Sequence, residues 1–467
     1  MGIRDRLLQV DLNRTLPREK NAESALEAPV TSKNVKAPEL AKNSTFIEIK
    51  KRCQKKAADD EAFYKADSNE TRQELRPRLE SLVREVANEM RYPLSELEVR
   101  QLGVELLDEI YGLGPIEPLL ADPTISDILI NGFNQIYVER GGKLELTDVT
   151  FISEEHLRNK IDRMLYLTGR RVDESSPLVD ARLPDGSRIN IIIPPLAVDG
   201  ICVSIRRFPE KHLRAKDLIA LGSMTEQMYQ FLEMGVRSGL NLIVCGGTGS
   251  GKTTTLNMLS GLIPADERTV TIEDSAELRM QQAHVVRLET RPPNAEGFGE
   301  VTQRELLKNA LRMRPDRIVL GEVRGGEVLD MLQAMNTGHD GSLATLHANS
   351  PRDCIARLEL MINLSGVDIP PTSIRKQIAS AIDLIIFVNR GKDGRRRVES
   401  ITEVTGVEEE NVVLQELFTF DSRYDDLTGR VSGRFRSTGI RPSCAAKFEA
   451  SGQKLPATLF NFVQEIG

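Results

Sequence analysis

Up to position 69, residues of both charges mix with prolines at 17, 29 and 38 and few apolar clusters, a pattern that predicts little stable structure. Within it, Phe46-Ile47-Glu48-Ile49-Lys50-Lys51-Arg52 has the pattern of a short amphipathic helix. Its basic cluster reads as a solvated face, with a membrane or partner contact as the alternative. From Leu75 onward Leu79, Leu82, Val83, Val86 and Met90 recur at helical spacing. Pro93 then interrupts, and Ser95 with Glu98 gives the capping-box signature of a second helix through Leu102, Leu106, Leu107 and Ile110. Residues 70–118 are predicted as a helical module ending near Tyr111-Gly112-Leu113-Gly114.

After Pro115 the pattern becomes β-like. Ile125–Asn131 and Ile136–Glu139 are separated by turn residues, residues 154–168 read as a helix, and Val179–Arg182 and Arg188–Ile193 flank a Pro-Asp-Gly turn. A further strand is expected over Ile201–Phe208, and residues 119–207 together predict a compact α+β domain. The charged segment 208–223 reads as a linker. From 224 to 437 a helix at 224–238 is followed by β-like runs at Leu242–Cys245, Thr269–Ile272, Arg317–Leu320, Ser342–Thr345 and Leu384–Val388, alternating with helical stretches. That alternation predicts a parallel sheet flanked by helices. Residues 438–467 carry weak signals and are expected to form a tail or appendage.

The first strand of that sheet runs into Gly246, Gly247, Thr248, Gly249, Ser250, Gly251, Lys252 and Thr253, with Thr254 opening a helix-like segment. Strand, glycine-rich turn, Lys-Thr and helix is the order of a P-loop. The glycines let backbone N–H groups converge on an anion, and the helix N-terminus adds its dipole. Lys252 is then placed to reach the β- and γ-phosphates of a nucleotide, and the Thr253 hydroxyl to ligate Mg²⁺. A glycine-rich turn that binds nothing is the bland alternative, and the full eight-position match in this context argues against it.

Composition narrows the picture. With 467 residues and 40% apolar residues the chain has room for two or three domains with proper cores. A net charge of −7, no Trp and 4% aromatic residues argue against a general nucleic-acid binder. Five well-separated cysteines without a CxxC pair support neither a zinc site nor a disulfide framework, and a reducing cytosol is the simplest location. No run approaches the ~20 apolar residues of a transmembrane helix.

Three further segments each end an expected strand, where open α/β sheets place their ligands. They are Thr271-Ile272-Glu273-Asp274, then Arg317–Leu320 running into Gly321-Glu322-Val323-Arg324, and the stretch Thr337–Ser350 with His339 and His347. Hydrolysis of a nucleoside triphosphate needs a held Mg²⁺ and an aligned water, which two carboxylates and a histidine can provide. Any one of these residues alone reads equally as a helix cap or a satisfied core histidine. Their shared order behind a P-loop is what favours chemistry.

The four segments resemble the Walker A, Asp box, Walker B and His box of the secretion traffic ATPases, the motors of type II and type IV secretion and of type IV pili. Tyr111–Leu120, Asp180–Arg188 and Val286–Asn294 resemble the branch that assembles Tad (Flp) pili. The resemblance spans roughly residues 70–437 and implies an α/β fold: a RecA-like motor domain preceded by a smaller α+β (PAS-like) domain and the helical module. It implies ATP and Mg²⁺ as ligands, with Thr253 and Glu322 on the metal. It also implies Glu273 as the candidate for activating water, although either glutamate remains open, and His347 as a γ-phosphate sensor with His339 nearby. Arg182, Arg188 and Arg207 resemble arginines that the smaller domain offers to a nucleotide, within or across subunits. A homohexamer docked on inner-membrane platform proteins from the cytoplasmic side is implied as well, extending or retracting a pilus. The absence of a tetracysteine zinc module disfavours the secretion and pilus-extension branches that often carry one and agrees with a Tad-like or conjugation-type member. The rivals are a RecA-like nucleic-acid motor and a nucleotide-gated scaffold that barely hydrolyses.

Overall fold

The computed structural model describes residues 37–59, 72–166, 168, 170–207, 213–280, 282–293, 297–425 and 430–466. The chain divides into two units, 1–114 and 115–467.

In the first unit, helices α1 (Ala37–Asp59), α2 (Arg72–Glu89) and α3 (Glu96–Tyr111) pack on one another. The stripe Leu75, Leu79, Val83 and Val86 meets Leu102 and Leu106 of α3 in a shared core. Ser95 caps α3 as the sequence indicates, accepting from the Glu98 amide while the Glu98 carboxylate accepts from the Ser95 amide at 2.8 Å. The expectation of little structure up to position 69 fails for residues 37–59. Ile49, Cys53 and Ala57 recur every fourth residue, too narrow a stripe to stand out among polar neighbours, and all are buried against α2 and α3. The basic cluster is met within the chain, since Lys50 reaches Glu105 at 3.4 Å and Arg52 pairs with Glu48 at 2.9 Å. Residues 1–36 and 60–69 lie outside the described residues.

In the second unit, β1 (Ile125–Asn131), β2 (Ile136–Arg140), β3 (Lys143–Leu146), β4 (Leu178–Arg182), β5 (Arg188–Ile192) and β6 (Cys202–Arg206) form an antiparallel sheet in the order β3-β2-β1-β6-β5-β4. Two short elements around it are α4 (Glu117–Ala121) and α5 (Glu154–Tyr166). The β4–β5 hairpin turns at Pro184-Asp185-Gly186, where Gly186 takes φ 92°.

The larger sheet is built around β7 (Leu242–Gly246), β8 (Thr269–Glu273), β9 (Val285–Glu289), β10 (Arg317–Val323), β11 (Leu343–His347) and β12 (Leu384–Arg390), parallel in the order β12-β7-β11-β10-β8-β9. Strand β7 is buried at every position, as a central parallel strand with helices on both faces must be. Ile243 and Cys245 enter one core with α9 (Gln303–Ala310), α10 (Glu327–Asn336), α11 (Pro351–Leu364) and α12 (Pro371–Ala381). Leu242 and Val244 enter the other, with α6 (Ala215–Ala220), α7 (Glu226–Arg237) and α8 (Lys252–Ser260).

The sheet continues antiparallel through β13 (Arg396–Glu408), β14 (Asn411–Asp425), β15 (Arg430–Ser437) and β16 (Val463–Ile466). Here two expectations are corrected. The end of the chain is not an appendage: β16 pairs with β15, and Phe448 of α13 (Ala445–Ala450) is fully buried beside Phe231, ring centroids 5.6 Å apart. Its signal was weak because few apolar residues, among them Phe448, Leu459 and Phe460, carry the packing. In the expected linker, α6 is a helix with Leu218 buried in the second core, while residues 208–212 lie outside the described residues.

Candidate active site

Because β7, β8, β10 and β11 run parallel, their C-terminal ends share one edge of the sheet. That edge gathers the P-loop, Glu273, Glu322 and His347. The register pairs His347 directly with Gly246.

Gly249 and Gly251 take φ 68° and 101°, which side-chain-bearing residues avoid. At Gly246 a Cβ would lie 2.2 Å from the Val388 carbonyl oxygen and 2.6 Å from Ser250 Oγ, so strand β12 leaves room only for hydrogen. Lys252 is the first residue of α8 and is buried; its Nζ donates to the Gly247 carbonyl at 2.9 Å and lies 3.3 Å from His347 Nε2. Burial pushes its pKa down, opposed by the charge of Glu322. Ser250 Oγ is buried without a hydrogen-bond partner, Thr248 and Thr253 are exposed, and Thr254 is half-buried. Arg396 of β13, which sequence reasoning missed, donates from Nε to the Gly249 carbonyl at 2.8 Å.

Glu273 is 3% exposed. Its Oε2 accepts from the amides of Glu277 at 2.7 Å and Leu278 at 2.9 Å, while Oε1 has no hydrogen-bond partner. Burial raises its carboxyl to about 7 against the pull of those two amides. Gly321 makes this position possible, since a Cβ there would stand 2.8 Å from Glu273 Cγ. One residue on, Glu322 pairs with His347 Nε2 at 2.9 Å and accepts from Arg324 Nε at 2.9 Å. Arg324 also reaches Asp274 at 3.3 Å, so it ties the ends of β8 and β10 together. Burial, with the Lys252 charge, lowers the His347 pKa and favours the neutral imidazole.

The structure does not bring His339 to this edge. Its carbonyl accepts from Ser342 Oγ, and the Ser342 amide donates to Asn241 at the start of β7, which places His339 before β11 at the opposite end of the sheet. With about 3.3 Å per strand residue, the five residues of β11 separate the two histidines by well over 10 Å. The two shared one segment in sequence, but the strand lies between them.

The three arginines also separate. Arg182 donates to Glu289 Oε2 at 2.8 Å and to the Ala276 carbonyl at 2.6 Å, and Arg188 reaches Glu277 at 3.3 Å, so both sit on the turn that follows Glu273. Arg207 stays within its own domain, donating to the carbonyls of Asp122 and Ile125.

Beside the P-loop lies a cavity of about 380 Å³. It is lined by Leu218, Leu221, Met224, Val388 and Val398 on one side and by Ser250, Gly251 and Thr254 on the other. Sequence reasoning could not find it, because its walls come from α6, β12 and β13, far apart along the chain.

These residues fit a nucleoside triphosphate with Mg²⁺. The loop can present its amides, the orphaned Ser250 hydroxyl and the buried Lys252 ammonium point to an anionic ligand, and Thr253 and Glu322 supply oxygen donors for a hard cation.

The chain matches the type II/IV secretion system protein family over residues 109–414. It is 39% identical to a putative conjugal transfer protein of Mycobacterium tuberculosis over 302 residues, 63% of this chain and 85% of the relative. It is 33% identical to the type IV secretion system protein PtlH of Bordetella pertussis over 317 residues, 62% and 94% of the two chains. The type IV secretion system protein VirB11 of Brucella suis is 33% identical over 316 residues, 62% and 87%. Among solved structures it is similar to the Brucella suis VirB11 ATPase in complex with sulphate (30% identity, 62% of this chain and 92% of that one, TM-score 0.35). It is also similar to the pilus retraction motor PilT with bound ADP (21%, 64% and 80%, TM-score 0.44). Among the described residues no helix is long and apolar enough to cross a membrane. With its match over well over half of the sequence, the chain belongs to the type II/IV secretion system protein family.

Proposed function

We propose that the chain is a Mg²⁺-dependent ATPase that works as a homohexamer on the cytoplasmic side of inner-membrane platform proteins and powers a Tad (Flp) pilus. The observation that carries the enzymatic part is the meeting of Lys252, Glu273, Glu322 and His347 with the P-loop at one sheet edge. The loop amides and Lys252 hold the β- and γ-phosphates, and the apolar cavity beside the loop takes the base. Thr253 and Glu322 would hold Mg²⁺, whose charge would offset that developing on the phosphoryl oxygens. Glu273, held near neutrality by burial and with Oε1 free of a protein partner, orients the attacking water and accepts its proton. His347 bridges Lys252 and Glu322 and so registers whether a γ-phosphate stands between them. Arg182 and Arg188 stand where the smaller sheet meets the turn behind Glu273, a placement that suits coupling hydrolysis to domain movement. The test is Lys252→Ala: turnover and pilus assembly are both lost, and a fully active variant overturns the reading.

The conjugal transfer name of the mycobacterial relative favours a second reading, a conjugation-type secretion motor. Under it, deleting the gene abolishes DNA transfer and leaves pilus assembly intact; under the first, the pilus is lost. ATPase activity stimulated by nucleic acid and suppressed by salt would point instead to a motor acting directly on DNA or RNA.

A further inference from the structure

Two segments, residues 180–188 and 286–293, meet around the short turn after Glu273. Glu289 ends β9, directly opposite Glu273 in the parallel register. Its Oε2 accepts from both Arg182 Nη1 at 2.8 Å and the Ala276 amide at 2.9 Å. The Ala276 carbonyl accepts in turn from Arg182 Nη2 at 2.6 Å and Arg287 Nη2 at 2.7 Å. One residue, Ala276, is thus held at both its N–H and its C=O, and that carbonyl belongs to the same peptide as the Glu277 amide. The next two amides in the chain, of Glu277 and Leu278, are the ones that hold Glu273 Oε2. Arg188 adds a second hold at Glu277.

We propose that Glu289 is a positioning residue for hydrolysis: it clamps the 276–278 turn to Arg182 of the smaller sheet, so the amides that orient the Glu273 carboxylate are in place only while that sheet is docked. The inference rests on the reading of Glu273 as the residue that activates water. Its consequence is a direct route from the position of the smaller sheet to the chemistry. When the sheet moves away, Arg182 leaves both Glu289 and the Ala276 carbonyl, the turn loosens, and Glu273 loses its two donors. A carboxylate that loses N–H donors becomes harder to ionise, and a base that is protonated cannot act. Arg287 on β9 and Glu277 on the following turn are the charged groups that act on the Glu273 carboxylate. Of these, Arg287 favours its charged form and Glu277 opposes it.

The test uses the full chain with ATP and Mg²⁺, comparing Glu273→Gln, Glu289→Gln, Arg182→Ala and the Glu289→Gln/Arg182→Ala double variant. Glu289→Gln is expected to lower kcat about tenfold with KM for ATP changed less than twofold. It should also move the acidic limb of the kcat–pH profile upward by half a pH unit or more. Because the two residues pair with each other and act through one residue, Ala276, the double variant should be no slower than the slower single one. A Glu289→Gln profile that keeps its limb in place, with or without a change in rate, overturns the inference, as does a double variant whose losses multiply. A fully active Glu273→Gln removes the reading of the base itself. An inactive Glu273→Gln beside an unshifted Glu289→Gln removes only the clamp.

Discussion

His347 Nε2 lies 2.9 Å from Glu322 Oε1 and 3.3 Å from Lys252 Nζ, so one imidazole stands between a carboxylate and an ammonium at the end of the sheet. The ring's Nδ1 lies 3.5 Å from Lys252 Nζ, and Glu322 Oε1 has no hydrogen-bond partner although His347 Nε2 stands 2.9 Å away. His347→Ala should therefore slow ATP turnover on the order of a hundredfold while leaving the Kd for ADP within about threefold. ADP lacks the γ-phosphate that, on the proposed reading, this bridge would register. Isothermal titration with ADP alongside steady-state ATPase assays checks both numbers.

The raised carboxyl of Glu273, about 7, gives a signed pH dependence. As a base it must be ionised, so kcat/KM for ATP should fall about tenfold per pH unit below that value and level off above it. The same shift costs stability. Folding favours the protonated form, so the penalty is absent below the ordinary carboxyl value of 4.5 and grows as pH rises towards 7. Glu273→Gln should thus be more stable than the parent at pH 8, by on the order of 1–3 kcal/mol, and nearly equal to it at pH 5. Urea unfolding at the two pH values measures this.

Adjacent glycines of the loop should respond oppositely to the same substitution. Gly246→Ala drives a methyl against the Val388 carbonyl and should lower the melting temperature by several degrees and abolish nucleotide protection. Gly247→Ala meets nothing within 4 Å and should melt like the parent. Thermal denaturation with and without ADP separates the two.

Phe448→Ala removes a fully buried ring that stacks near Phe231 and should cost about 3–5 kcal/mol of stability. KM for ATP should be unchanged at low temperature, because the ring lies beneath α7 and lines no part of the cavity beside the P-loop.

Much of the site was legible because its residues close buried parallel strands, where an apolar run followed by a glycine, carboxylate or histidine marks a functional edge. Glu273, Glu322 and His347 all fit that description and all arrive at the P-loop. His339 misled because closeness in sequence spans the length of a strand in space. Arg396 and the cavity walls gave no signal, and Glu289 stood in a segment that marked the family without showing a role, since each acts only through pairing between distant strands. The α1 stripe of Ile49, Cys53 and Ala57 and the clasp of Phe448 were missed for a related reason. A few apolar side chains suffice when a neighbouring element supplies the rest of the core.

The pairing of β16 with β15, and the seating of Phe448 and Phe460 against α7, bear on how the protein is made. The sheet that carries the phosphate loop cannot complete its second core until residues near 466 have cleared the ribosomal tunnel. During synthesis the apolar face of β14 waits uncovered for several seconds, and that of α7 for tens of seconds, at ordinary elongation rates of ~5–20 residues per second. Truncation just before Phe448 should then yield a sticky, chaperone-bound chain even though the P-loop, Glu273, Glu322 and His347 have already been translated.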